Sequence, residues 1–312
     1  MSNLKQNIPL KDFSNYKIGG NASFFLEITT IDDLTQGVKR FREIQPQGNI
    51  FILGSGTNVL FSDDGFDGLI VFNKLGGIRR EGNAVKIESG VQFSDLLNFC
   101  IDNSLSGIEW AGGLPGTVGG AVRGNAGAFG GETKDSVLKV TSISLTDYSE
   151  VIRQGTELGF SYRNSTYKSG EGKNDFITEV EFVLSEGTKD DIKARIQEKI
   201  DYRWARHPMD LPNIGSTFKN IPAKDVPQEK ISQFQLPIKN DPFPVVPTAK
   251  ILSVAGLIGK RVGDAQVSEK HPNFIVNLGN AKASEVLELI KIEKETVKEK
   301  MGIDLEEEII IL

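Results

Sequence analysis

Ten of the 25 residues from Gly107 to Gly131 are glycine, in the segment GIEWAGGLPGTVGGAVRGNAGAFGG. Glycine loses more chain entropy on folding than any other residue, so a folded protein keeps such a run only where main chain must pass close to something. The segment has no collagen-like period and apolar residues interrupt it throughout, so it is not a flexible linker. A second, smaller cluster lies in FILGSGTNVLFSDDGFDG, from Phe51 to Gly68. The whole chain holds 33 glycines in 312 residues, where roughly 7% is ordinary.

Around these clusters the hydrophobic pattern mixes helix and strand. Asn49 to Leu53 is a short apolar run entering Gly-Ser-Gly, and reads as a buried strand. Leu69 to Phe72 and Ala84 to Glu88 read as further strands, and Val137 to Leu145 and Phe176 to Leu184 as half-buried ones. Phe93 to Leu105 has the spacing of one helix face, with Cys100 on its core side. Thr188 and Asp191 resemble a capping box, and Ile192, Ile196 and Ile200 predict a helix to about Trp204. The stretch from Arg206 to Pro247 carries eight of the twelve prolines and reads as loops. Thr248 to Ala255 predicts a short helix, Asn273 to Asn277 a strand, Ser284 to Met301 a helix ended by Gly302, and Ile309 to Leu312 a terminal strand. Strands and helices mix without regular alternation, which gives an α+β class with a boundary near residue 203.

Length alone suggests about two domains. With 36 Lys and Arg against 42 Asp and Glu the formal net charge is −6, which disfavours nucleic acid or an anionic membrane surface as partner. One cysteine and two histidines leave no basis for an internal disulfide, a thiolate cluster or a His-rich metal site. The first 20 residues have no leader pattern and no run of 18 apolar residues occurs, so the expected location is the cytoplasm.

Each candidate motif has a plain alternative. Gly54-Ser55-Gly56-Thr57-Asn58 follows a strand and frees successive N–H groups for a phosphate. It lacks the ending of a nucleotide P-loop and the third glycine of a dinucleotide fingerprint, so alone it reads as a tight turn. Paired with Leu114-Pro115-Gly116-Thr117-Val118-Gly119-Gly120 it reads as a clamp on one pyrophosphate. Arg163, between aromatics in FSYRNS, is either solvated or half-buried and waiting for an anion. Ser216, in NIGSTFKN, has no nucleophile elbow and no histidine in sequence reach, so by pattern it is a turn serine. A serine that only donates a proton needs no triad. In Glu306-Glu307-Glu308 the first two suit a solvated turn, while alternation allows Glu308 to point inward.

Taken in order, NYKIGG, GSGTNVLFSDDGFDG, IEWAGGLPGTVGGAVRGNAGAFGGE, FSYRNSTYK, PNIGSTFKN, VGDAQVSEKHPNFIVN and LEEEIII resemble the UDP-N-acetylenolpyruvoylglucosamine reductase family over nearly the whole chain. The resemblance implies a two-part FAD-binding domain of the vanillyl-alcohol-oxidase type followed by an α+β substrate-binding domain. The implied FAD-binding segments are 1–72, with 304–312 returning to it, and 73–202; the substrate domain is 203–303. It implies non-covalent FAD held by Gly54, Ser55, Gly56, Thr57, Asn58, Gly113, Pro115, Gly116, Thr117, Gly119, Gly120 and Asn125. It implies NADPH as co-substrate and UDP-N-acetylglucosamine enolpyruvate as substrate, in peptidoglycan precursor synthesis by a monomer. Hydride passes from flavin N5 to C3 and a proton from Ser216 to C2, with Arg163 and Glu308 at the substrate carboxylate. Asn220 and Arg206 match positions for the uridine diphosphate, and no metal is implied. Some members insert a tyrosine-bearing loop after the arginine motif. Here only about 20 residues separate Arg163 from Leu184, so the chain resembles the shorter subgroup and another element must cover the substrate. Two other readings stay open: an oxidase on the same flavin scaffold, weakened by the lack of histidine in either loop, and a non-catalytic nucleotide-sugar-binding relative.

Overall fold

The apolar run Asn49–Leu53 forms the strand its sequence predicts and pairs in parallel with Phe66–Asn73. The computed structural model describes residues 4–312; the first three residues of the expected FAD-binding segment 1–72 lie outside the described residues. By internal contacts the chain divides into two units. One comprises the N-terminal residues to Ile8, Ala22–Ser55 and Asp67–Tyr202; the other comprises Pro9–Asn21, Gly56–Phe66 and Arg203–Leu312.

The first unit holds two sheets, each with its own apolar cluster. A four-stranded sheet runs in the order Leu4–Pro9, Asn21–Ile28, Phe66–Asn73, Asn49–Leu53. Against it packs a helix, Ile31–Ile44, that is absent from the expected elements. Its signals are present: the Thr30 side chain accepts from the Asp33 N–H, the Asp33 carboxylate accepts from the Thr30 N–H, and Leu34, Val38 and Phe41 are buried at helical spacing. The second sheet is antiparallel, in the order Glu150–Gln154, Val137–Ser144, Asp175–Val183, Ala84–Glu88, Ile78–Glu81. Val180, Phe182 and Leu184 are buried in one apolar cluster as the alternation predicts. Phe176 lies in the other, because a break in register between Thr141 and Ser142 reverses the facing ahead of Glu179. The helix Phe93–Asp102 stops short of the expected Leu105, because Ser104 adopts a left-handed φ of 56° that a right-handed helix cannot contain. Lys189–Arg206 is helical, and the Thr188 hydroxyl donates to the Asp191 carboxylate at 2.5 Å just before it.

The second unit is built on one apolar cluster that gathers Tyr16, Ile18 and Leu60 with Ile214, Phe218, Ile251 and Leu252. The helix Ala283–Met301 lays Val286, Leu289, Ile290, Val297 and Met301 into that cluster and ends at Gly302, whose φ is 71°. Asp63, from the earlier glycine cluster, caps its start by accepting from the Ala283 N–H at 2.7 Å and the Ser284 N–H at 3.0 Å. The terminal strand, Ile310–Ile311, pairs in parallel with Val59–Leu60.

Glu293 interrupts the apolar stripe of Ala283–Met301. It is fully buried, and among the described residues no hydrogen-bond partner reaches either carboxyl oxygen. Burial pushes its pKa well up, and burial together with the Glu293 charge pushes up the nearby Tyr16 hydroxyl. The native state therefore keeps a proton that the unfolded chain loses at about pH 4.3. Stability should fall as pH rises from that value toward the raised one. Glu293→Met should remove that slope and stabilise the protein at pH 8 by about 1–3 kcal/mol. Urea unfolding at pH 5 and pH 8 measures it; parallel pH dependence in both proteins would contradict a neutral buried acid.

Candidate functional site

Within the first unit, Gly54 of the shorter cluster meets Thr117 of the longer one. A Cβ placed on Gly54 would lie 2.6 Å from Thr117 Oγ1, so the loops approach to main-chain distance only because residue 54 has no side chain. The Ser55 hydroxyl donates to Gln92 Oε1 at 2.8 Å. Gly56 is left-handed, with φ 64°, and its carbonyl accepts from the Asn15 N–H. Among the described residues no protein group accepts from the N–H of Ser55, Gly56, Thr57 or Asn58. Four successive amides without a protein acceptor, on a loop with no acidic side chain, fit the phosphate oxygens of a dinucleotide cofactor.

The longer segment is less uniform than its composition suggests. It contains a helix, Val118–Gly124, that is absent from the expected elements. Thr117 caps it through Oγ1, and the Val118 and Gly119 N–H groups are taken by the Val91 and Ser89 carbonyls. Gly119 is glycine because a Cβ would press on Ser89 at 2.9 Å; Gly112 because one would meet the Ile196 carbonyl; Gly131 because one would meet the Trp110 ring. Those three positions answer to close packing within the protein. Gly113 and Gly116 take left-handed φ values of 72° and 117° on either side of Pro115. Beside Gly120 a Cβ would touch only Thr117 Oγ1, at 3.4 Å. Asn125 is fully buried, with its amide donating to Glu132 and to the Ser161 carbonyl and its oxygen accepting from the Lys134 N–H. Its side chain is thus engaged within the protein.

Arg163 sits at the tip of a tight turn closed by reciprocal hydrogen bonds between Ser161 and Asn164, both 3.1 Å. Its φ is 54°, a conformation costly for a side-chain-bearing residue and one often retained at functional positions. The guanidinium donates to the Gly127 carbonyl at 2.9 Å and lies 5.0 Å from the Tyr162 ring centroid. The arginine is therefore tied to the glycine-rich segment.

Ser216 and Glu308 belong to the second unit, where main-chain hydrogen bonds bring their segments together. The Glu308 N–H donates to the Thr217 carbonyl at 2.8 Å, and the Lys219 N–H to the Glu306 carbonyl at 2.9 Å. Asn273 fixes the other side of the serine loop, its main-chain carbonyl accepting from Thr217 and its Oδ1 from Phe218. Ser216 and Glu308 are both half-buried, whereas Glu306 is exposed and paired with Lys219, and Glu307 is paired with Lys294 at 2.8 Å. Asn220 Oδ1 accepts from the Thr248 N–H at the start of the helix Thr248–Val254, and Arg206 is exposed in the last turn of Lys189–Arg206.

Sequence spacing misses one cluster. His207 and His271, distant in the chain, stack edge to face at 4.9 Å, and both rings meet Phe274. Burial lowers each pKa to about 4, helped at His207 by the charges of His271, Arg203 and Lys270. Both imidazoles are neutral at physiological pH.

The contact of Gly54 with Thr117 is open to direct measurement. Gly54→Ala should destabilise the protein by about 1–3 kcal/mol through overpacking. Most of that loss should vanish in a Thr117→Ala background, where the obstructing hydroxyl and methyl are gone. Additive effects in a double-mutant cycle would mean that the two loops do not touch.

The FAD binding domain family matches residues 22–147, a span that includes both glycine clusters. The family of the UDP-N-acetylenolpyruvoylglucosamine reductase C-terminal domain matches residues 207–312. The UDP-N-acetylenolpyruvoylglucosamine reductase of Clostridium novyi (strain NT) is 37% identical over 314 residues, covering 99% of this chain and 92% of that protein. That of Fusobacterium nucleatum is 36% identical over 310 residues, covering 98% of each. The crystal structure of the reductase from Thermus caldophilus superposes with a TM-score of 0.78 at 28% identity, over 100% of this chain and 99% of that one. Over its whole length, the chain belongs to the UDP-N-acetylenolpyruvoylglucosamine reductase family of FAD-containing oxidoreductases.

Proposed function

We propose that this chain reduces UDP-N-acetylglucosamine enolpyruvate to UDP-N-acetylmuramate, with NADPH as reductant and non-covalent FAD as carrier, for peptidoglycan precursor synthesis in the cytoplasm. The observation that carries this reading is the main-chain joint between the Ser216 loop and Glu308, through Thr217. The names of the full-length relatives support it.

FAD, when bound, supplies the chemistry that side chains lack: an electron pair taken from NADPH and passed as hydride from N5 to C3 of the enolpyruvyl group. Residues 55–58 would hold its pyrophosphate through their four amides, with Gly54 letting the loop close on Thr117. An enolpyruvyl double bond accepts hydride only if the charge that develops on its carboxylate is stabilised. Arg163 is assigned as the cation for that charge, and Glu308 as the acidic group for the same carboxylate. Ser216 then gives its hydroxyl proton to C2. A serine is a weak acid, so the transfer works only toward a strongly basic, carbanion-like carbon in a site that excludes water. The neutral His207 and His271 bring no readily available proton to compete with it. Asn220 and Arg206 are assigned to the uridine diphosphate portion.

Anaerobic titration of the purified flavoprotein tests the reading. NADPH should bleach the flavin, and the enolpyruvyl substrate should then restore its absorbance; a flavin that stays reduced after substrate addition rules the function out. Ser216→Ala should still be reduced by NADPH at a near-normal rate, while reoxidation by substrate slows by roughly 10²–10⁴-fold. Equal losses in both half-reactions would instead make Ser216 a structural residue.

A further inference from the structure

Arg123 closes the last turn of the helix Val118–Gly124 and is half-buried. Among the described residues no carboxylate, carbonyl or aromatic ring meets its guanidinium. The acids nearest in the chain are already engaged. Glu109 is held by Arg195 at 2.8 Å, by the Ser106 hydroxyl and by the Gly107 N–H. Glu132 is held by Lys134 at 2.5 Å and by the Asn125 amide. Burial alone pulls the Arg123 pKa down from the usual arginine range, with no charge partner opposing it. A cation partly withdrawn from water without a counter-charge weakens the fold, and an anion arriving from elsewhere would offset that cost.

Its surroundings say where that anion comes from. Arg123 lies six residues beyond Thr117, about 9 Å along the helix axis from the meeting point of the two loops. The Ser165 hydroxyl donates to the Arg123 carbonyl at 2.8 Å, and Arg163 donates to Gly127 four residues on, so two arginines attach to the same short stretch of chain. Beside Arg123, a Cβ on Gly124 would meet nothing within 4 Å. We infer that Arg123 is a ligand-facing positioning residue whose guanidinium receives an anionic oxygen carried by a bound molecule. On the flavin-reductase reading above, from which this follows, two sources offer that chemistry: the pyrimidine edge of the flavin, which becomes negative on reduction, and the carboxylate of the substrate. A planar fork of N–H donors suits either one.

Two equilibrium measurements on the purified holoenzyme separate the sources. Sulfite adds reversibly at flavin N5 and leaves negative charge on the pyrimidine ring, so its affinity reads cationic stabilisation there without turnover. Binding of the enolpyruvyl substrate to oxidised enzyme, followed through the flavin spectrum, reads the carboxylate. If the flavin is the source, Arg123→Met weakens sulfite binding at least tenfold, Arg123→Lys restores part of the loss, and substrate affinity holds. If the substrate is the source, the tenfold loss and the partial rescue appear in substrate affinity and sulfite binding holds. Values within twofold of wild type in both assays overturn the inference. If Arg123→Met does not retain FAD, Arg123→Lys carries the test: a threefold or greater change in either affinity supports the inference, and wild-type values in both overturn it. A wild-type enzyme that binds sulfite but neither binds nor is reoxidised by the substrate contradicts the proposed function, and the sulfite comparison still judges Arg123.

Discussion

The last seven residues of the chain bond to two separate stretches of the second unit, and both matter to function. Residues 306 and 308 bond to 219 and 217, beside Ser216. Two residues later the Ile310 N–H donates to the Asn58 carbonyl, the Leu312 N–H to the Leu60 carbonyl, and the Ser62 N–H to the Leu312 carbonyl. One extended segment therefore fixes the serine loop with its first half and the continuation of the first glycine loop with its second. These are main-chain bonds, so they demand only an extended conformation and a buried side at Ile309. The position of the Glu308 backbone is consequently set by its neighbours' amides and carbonyls.

The glycine-rich segment shows why composition alone overstates a cofactor. The same residue serves wherever main chain needs room, whatever occupies the room. Gly112, Gly119 and Gly131 are explained by a helix carbonyl, a serine and a tryptophan ring of the protein itself. The case for a cofactor rests on the shorter loop, where residues 55–58 leave four amides without an acceptor among the described residues. Ser55, Gly56 and Thr57 are buried or half-buried, and amides in that state are uncommon in a finished fold, which makes three in succession a stronger argument than ten glycines.

What the sequence makes legible follows from how local each signal is. The strands Asn49–Leu53, Ala84–Glu88 and Asp175–Val183 and the long helices carry their own periodicity, and the α+β class follows from them. The helix Val118–Gly124 does not, because three glycines in seven residues give it poor intrinsic propensity, and the Thr117 cap and the burial of Val118, Ala121 and Val122 hold it. The Asp63 cap, the His207–His271 pair and the terminal ladder join residues far apart in the chain, and no local pattern encodes them. Ser216 and Arg163 are intermediate cases. Their residue types permit a role, resemblance to a family suggests it, and geometry adds the turn that strains Arg163 and the carbonyl that ties Glu308 to the serine loop.

The second unit also limits which groups there can exchange protons. Folding holds His207 and His271 neutral down to about pH 4, well below the ordinary histidine value. The unfolded chain binds protons there first, so these rings contribute stability that is present above the ordinary histidine pKa and is lost as pH falls toward 4. Glu293 errs in the opposite direction, keeping its proton in a place with no polar partner. The first two groups carry only the weakly acidic N–H of a neutral imidazole at neutral pH, and the third is sealed in the core. A hydroxyl always carries its proton, whatever the pH near neutrality. That is a physical reason for a weak acid such as Ser216 to serve as donor, provided the receiving carbon is made basic enough by the hydride that precedes it.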